Sequence, residues 1–249
     1  MQHLILHIPH ASEHIPFKKG FVIDDSKINA EILKLTDWFT DDLFYAKADT
    51  QIIAPFSRVF CDVERFSDDG QEEMFKLGMG ALYTRCDDDT LSRIITPTLR
   101  KEILDTYYWP HHQAFECAVA KQLKECDHCL IVDCHSFPKN PIFKGLDQRK
   151  NRPDFNIGTD AFHTPLDLLE KAENYFTKLG YSVGIDWPYN GAIVPINYYQ
   201  KDKRVLSIML EVNRALYLKG ETNHTSCEYN KTKEVVQGFL TLLRNEVSL

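Results

Sequence analysis

Residues 129–138 read CLIVDCHSFP. From Cys129 to Cys134 the run is almost continuously apolar, as in a central strand covered on both faces. Its polar members, Asp133 and His135, arrive at its carboxyl end. A second stretch, VLSIMLE at 205–211, has the same character and ends on Glu211. Near the amino terminus Leu4–Ile8 is a short apolar run closed by Pro9 and followed by His10. Weaker strand signals stand at Gln51–Phe56, Phe155–Gly158 and Tyr181–Ile185.

Helical spacing fills the intervals between these runs. Asp24–Ala46 carries Ile28, Ile32, Leu35, Phe39 and Leu43 on one stripe, with Asp24, Asp25 or Ser26 as caps. Thr90–Glu125 reads as largely helical, interrupted at Pro97 and Pro110. Pro165–Leu179 and Tyr229–Val247 are further helices, while Ser67–Gly80, Pro138–Asp154 and Trp187–Ala192 read as loops. Strands alternating with helices predict an α/β fold: a central mixed, largely parallel sheet with helices on both faces. The 249 residues show no repeat and no linker, so one domain over 1–249 is expected.

Bulk properties narrow the function classes. A net charge of −7 argues against a broad nucleic-acid surface. It also means that an anionic substrate would need local arginines to overcome the global field. No run of eighteen apolar residues suggests a membrane span, and the first apolar stretch is too short for a signal segment. Seven cysteines, an odd number, suit reduced thiols in a cytoplasm. Cys126 and Cys129 form a CxxC, but at a helix-to-strand junction and without a second pair to complete a zinc knuckle.

Three apolar strands thus end in His10, His135 and Glu211. Ligands of open α/β sheets bind beyond the carboxyl ends of the strands, so parallel strands would bring the three together. Two histidines and a carboxylate are what catalytic zinc takes, with a fourth position left for water. Other divalent transition metals (iron, cobalt or manganese) accept the same donors. Two residues compete as the third ligand. Asp37 lies in LTDWF among Leu35, Trp38 and Phe39, where a carboxylate is a partnered buried group or a ligand. Glu13 stands three residues after His10.

Several segments together resemble the N-formylglutamate amidohydrolase family. They are HIPHASEHIP (7–16), LTDWF (35–39), SRVFCDVERF (57–66), WPHH (109–112), IVDCHSFP (131–138), PYNGA (188–192) and MLEVNRALY (209–217), in the family's order over nearly the whole chain. The resemblance implies a fold distantly like that of zinc carboxypeptidases and zinc held by His10, Asp37 and His135. It also implies Glu211 as the acid/base carboxylate, Arg58 and Arg65 as anchors for an acidic N-acyl amino acid, and a role in histidine degradation; Arg58 is expected to be catalytic as well, sharing the developing oxyanion with the metal. The chain departs from the family pattern at Ala11-Ser12, where Ser-Gly is usual, at Glu64, where Asn is usual, and at His111, where Tyr is usual.

Around that set, Asp133 shares its side of the strand with His135 and suits a carboxylate that orients a ligand. Asp62 is placed to position Arg58 or Arg65. The two arginines lie seven apart, so they share a site only if Val59–Glu64 turns. His112 on the long helix reads equally as a substrate contact or a core histidine. Asn190 and Gly191 belong to a loop that could line the pocket. Arg214 follows Glu211 by three, and His3 and His7 alternate with apolar residues on the first strand without an assigned role.

Overall fold

The computed structural model describes residues 3–246. Six strands form one sheet: β1 (Ile5–Ile8), β2 (Thr50–Ile53), β3 (Cys129–Phe137), β4 (Phe155–Gly158), β5 (Val183–Ile185) and β6 (Val205–Asn213). Their order is β2-β1-β3-β6-β4-β5. The first four strands in that order run parallel, β4 is antiparallel to β6, and β5 follows β4. The expected mixed, largely parallel sheet is present, with helices on both faces.

Every residue of the nine-residue strands β3 and β6 is buried. Alternation along them sorts side chains between two cores. Leu130, Val132 and Cys134 join Leu206, Ile208 and Leu210 on the face covered by α1 (Asp25–Leu35), α5 (Leu166–Lys178) and α6 (Tyr229–Glu246). On the other face Ile5, Cys129, Ile131 and Val205 pack against Phe115, Val119 and Leu123 of α4 (Trp109–Cys126). Each such fully buried Leu, Ile or Phe contributes about 1.5–3 kcal/mol. The odd-numbered positions therefore point to the α4 face, and that parity carries His7, Asp133, His135 and Glu211 onto one side.

Two helix expectations need correction. The stretch Asp24–Ala46 is not one helix: α1 closes where Thr36 N–H donates to Ile32 O, and the short α2 (Thr40–Leu43) starts anew. Between them Asp37 N–H donates to His10 O at 3.0 Å, and Phe39 takes a left-handed φ of 63°. Asp37 thus lies in a break, not on a helix. Thr90–Thr96 is likewise not helical. The helix begins with Pro97 in its first turn, as α3 (Pro97–Ile103), capped by the Thr96 side chain on Leu99 N–H at 3.2 Å. A widened π-type turn at Leu104–Tyr108 then leads into α4. Pro110, which has no N–H to give, sits in the first turn of α4 immediately beyond it.

Strand and helix limits shift elsewhere by a few residues. β3 and β6 run two or three residues beyond the apolar stretches, so His135 and Glu211 stand within strands. The last helix reaches Glu246, and Val247 lies outside the described residues. Cys126 is exposed at the end of α4, and Cys129 is buried at the start of β3. Among the described residues no helix is long and apolar enough to cross a membrane.

Candidate functional site

His10, just beyond β1, and His135, near the carboxyl end of β3, meet Asp37 at that edge of the sheet. One ligand-capable atom from each lies within 4.8 Å of the others. Asp37 Oδ2 is 3.0 Å from His135 Nδ1 and 3.7 Å from His10 Nδ1. All three side chains are buried. Glu13 is elsewhere: it is exposed and lines a cleft of about 430 Å³ with Ala11, Ser12, Trp38, Phe39 and Asp41. Of the two competing carboxylates, Asp37 is the one beside the histidines.

Each of the three is held from behind. His10 Nε2 lies 2.8 Å from Asp62 Oδ1. His135 Nε2 lies 3.1 Å from both Asp133 Oδ1 and Glu64 Oε1. The other Asp37 oxygen, Oδ1, accepts from Arg214 Nη2 at 2.8 Å. That arginine is fixed in turn by Lys34 O and by Ser136. This leaves His10 Nδ1 buried and without a hydrogen-bond partner among the described residues. Outer carboxylates that turn a histidine's other nitrogen inward are the usual support of metal ligands. The donor set and the orphaned Nδ1 fit a divalent transition metal.

Glu211 is the register partner of His135 across β3 and β6. Its carboxyl is buried, and Oε2 has no hydrogen-bond partner among the described residues. Burial raises its pKa to about 8, with Asp37 and Glu64 adding to the rise and His135 and Arg214 opposing it. The neighbouring carboxylates behave in the opposite way. Burial opposes ionisation of Asp37, but the nearby His10 ring, the hydrogen bond with His135 and the charge of Arg214 outweigh it and hold the carboxylate ionised. Asp62 is likewise held well below the carboxylate range, by Arg58 and His10 against its burial.

Asp62 is the hub of the arginines. The segment 57–66 turns rather than extends, so Arg58 and Arg65 do come together. Arg58 donates to Asp62 Oδ2 from Nε at 3.2 Å and Nη2 at 2.9 Å, and Arg65 Nε stands 3.7 Å from the same oxygen. Arg65 Nε is buried without a hydrogen-bond partner among the described residues. Glu64 does not neutralise its neighbour Arg65. It turns to the histidines, where it is 3.1 Å from His135 and 3.5 Å from His7.

Three participants had no role in the sequence reading. Tyr83 donates its hydroxyl to Asp62 Oδ2 at 2.7 Å. His7 is fully buried, with Nδ1 2.9 Å from Asp133 Oδ1 and Nε2 3.0 Å from His111 Nε2. His111 is held neutral, its pKa lowered to about 2 by burial and by His7. Parity was the available signal for His7, because a histidine between Leu6 and Ile8 in a buried strand needs a polar partner. The two departures at Glu64 and His111 both touch it.

The remaining expectations divide. His112 packs its ring against Tyr108, with centroids 4.3 Å apart, and its pKa is lowered to about 4 by burial. Asn190 is exposed, and among the described residues no hydrogen bond or ion pair joins it or Gly191 to the cluster. The loop that carries them is nonetheless tied to the site, since Ile193 N–H donates to Asp133 Oδ2 at 3.3 Å.

Comparisons with known proteins bear on the family and the fold. A family profile described as N-formylglutamate amidohydrolase matches residues 2–218. The crystal structure of N-formylglutamate amidohydrolase from Ralstonia eutropha JMP134 is similar at a TM-score of 0.85 and 21% identity, covering 99% of this chain and 95% of that one. Gene product Atu2144 from Agrobacterium tumefaciens is similar at a TM-score of 0.65 and 15% identity, covering 96% and 90%. No curated protein matches. At these identities the two structures speak to the fold.

Proposed function

The chain belongs to the N-formylglutamate amidohydrolase family, and from that premise we propose that it hydrolyses the formyl amide of an acidic amino acid with the help of a divalent metal, N-formyl-L-glutamate and water giving L-glutamate and formate. The observation that carries this reading is the convergence of His10 Nδ1, Asp37 Oδ2 and His135 Nδ1 beside the unpartnered Oε2 of Glu211. His10, Asp37 and His135 would hold the ion, zinc by the character of the donors. Bound there, it would polarise a carbonyl and bring the pKa of water down to about 7.

The chain's own residues do the rest. Glu211 takes a proton from the attacking water and passes it to the departing nitrogen, so that the C–N bond breaks to a neutral amine. Arg58 and Arg65 receive the substrate carboxylates, for which planar guanidinium is shaped. Asp62 and Tyr83 fix the direction of Arg58, and Asp62 also fixes His10, so the anchor and the metal ligand share one support. Arg214 keeps Asp37 ionised and aimed inward.

Formate release from N-formyl-L-glutamate, measured on zinc-loaded protein beside a chelated control, tests the reading. Chelator-sensitive release is expected. Loaded protein that binds metal and releases no formate would exclude this substrate and leave a deacylase of another acyl amino acid.

A further inference from the structure

A second group of ligand-capable atoms abuts the first. His7, Glu64 and Asp133 each bring one such atom within 4.8 Å of the others. Strand register pairs His7 with Asp133 across β1 and β3. His7 Nδ1 is 2.9 Å from Asp133 Oδ1 and 3.5 Å from Glu64 Oε1. Glu64 also reaches the other way, its Oε2 lying 3.9 Å from the unpartnered His10 Nδ1.

We propose that His7, Glu64 and Asp133 form a second divalent-cation site, and that Glu64 spans the two sites with one oxygen turned toward each. The inference rests on the metal reading of His10, Asp37 and His135 given above.

Charge is the first argument. Among the described residues the ion pairs of Glu64 and Asp133 run to histidines only. An imidazole offsets a carboxylate only while protonated, whereas a divalent ion offsets two permanently. The guanidiniums nearby are engaged elsewhere, Arg58 and Arg65 by Asp62 and Arg214 by Asp37. Glu64 and Asp133 are therefore two adjacent carboxylates with no guanidinium or ammonium partner among the described residues, a charge that one further divalent ion matches.

Orientation is the second. His7 Nε2 faces His111 Nε2, a contact in which a proton on His7 Nε2 leaves Nδ1 free toward the two carboxylates. Asp133 Oδ2 is occupied by Ile193 N–H, and Oδ1, which also faces His135 Nε2 at 3.1 Å, is the oxygen turned toward His7. One imidazole nitrogen and two carboxylate oxygens suit zinc, cobalt or manganese.

The test is metal stoichiometry on the full chain. Metal-free wild type, Glu64→Gln, His7→Phe and His10→Ala are titrated with Co²⁺, read by visible absorption and by elemental analysis after desalting. Circular dichroism confirms folding. Two equivalents are expected for wild type and one for each variant, with Glu64→Gln, close in size to glutamate, standing in should His7→Phe not fold. Saturation of wild type at one equivalent, lost in His10→Ala and kept in Glu64→Gln, would overturn the second site and leave the first intact. No bound cobalt in wild type would overturn both.

Discussion

Glu211 is a buried carboxyl flanked by Asp37 and Glu64, with His135 and Arg214 offsetting its charge. Two consequences can be measured. Glu211→Gln keeps the shape, so metal binding should persist while turnover falls by about 10²–10⁴, the usual worth of a positioned acid/base group. A variant with wild-type turnover would remove Glu211 from the proton transfer. The second consequence is in stability. The folded pKa is raised from an ordinary 4.5 to about 8, so the proton favours the fold. That contribution is fully present below 4.5 and is lost as pH rises through about 8. In metal-free protein Glu211→Gln should therefore gain on wild type between about pH 5 and about pH 9, by a few kcal/mol at about 1.36 kcal/mol per unit. Urea titrations that show the same gap at both ends would contradict the buried-charge account. Arg65 gives a separate prediction. Its Nε is buried and unpartnered, so Arg65→Ala should raise KM for a dicarboxylic formyl amino acid about 10- to 100-fold, the worth of a charged hydrogen bond of about 1.5–3 kcal/mol. Formyl-leucine, with one carboxylate fewer, should be affected less; equal effects would show that Arg65 holds structure, not substrate.

β4 shows how an element places a loop. A Cβ at Gly158 would stand 2.3 Å from Gly191 O and 2.3 Å from Met209 Cε. The bare backbone there lets the loop of Asn190 and Gly191 close against the sheet, and the same loop ends on Asp133 through Ile193. Gly158→Ala should push the loop out and cost about 1–3 kcal/mol, with KM rising more than kcat falls. Unchanged stability and KM would show that the loop yields freely. The legibility of the elements follows the same physics. β3 and β6 were readable because burial on both faces leaves an unbroken apolar signature. The gap between α1 and α2 was not, because Ile28, Ile32, Leu35, Phe39 and Leu43 keep helical spacing straight across it. What breaks the helix is a hydrogen bond from Asp37 N–H to His10 O, and local periodicity contains no trace of a tertiary partner. Asp62 was read as a support for arginines, but its grip on His10 needed the fold. His7 was missed because its partner Asp133 is set by strand register across more than a hundred residues.

The candidate site draws on segments far apart in the chain, and this sets how the whole molecule should respond to metal. His10 follows β1, Asp37 lies between α1 and α2, His135 is in β3 and Glu211 in β6. In the unfolded chain these donors are not gathered, so an ion they hold binds the folded state alone and stabilises it by mass action. At a free metal concentration about a hundred times Kd the gain is about 2.7 kcal/mol. For a chain of this size each kcal/mol moves Tm by about 2–4 °C, so chelation should lower Tm by about 5–11 °C. Removing the metal also leaves Glu64 and Asp133 close together with histidine protons as their nearest offset, which adds to the loss. The control is His10→Ala, which should show a lower Tm at the outset and a much smaller chelator effect. Thermal unfolding of both proteins with and without chelator decides the matter. Wild type whose Tm ignores the chelator would mean that the histidines and carboxylates are held by one another alone, and the buried ion-pair network would then be the whole account of the site.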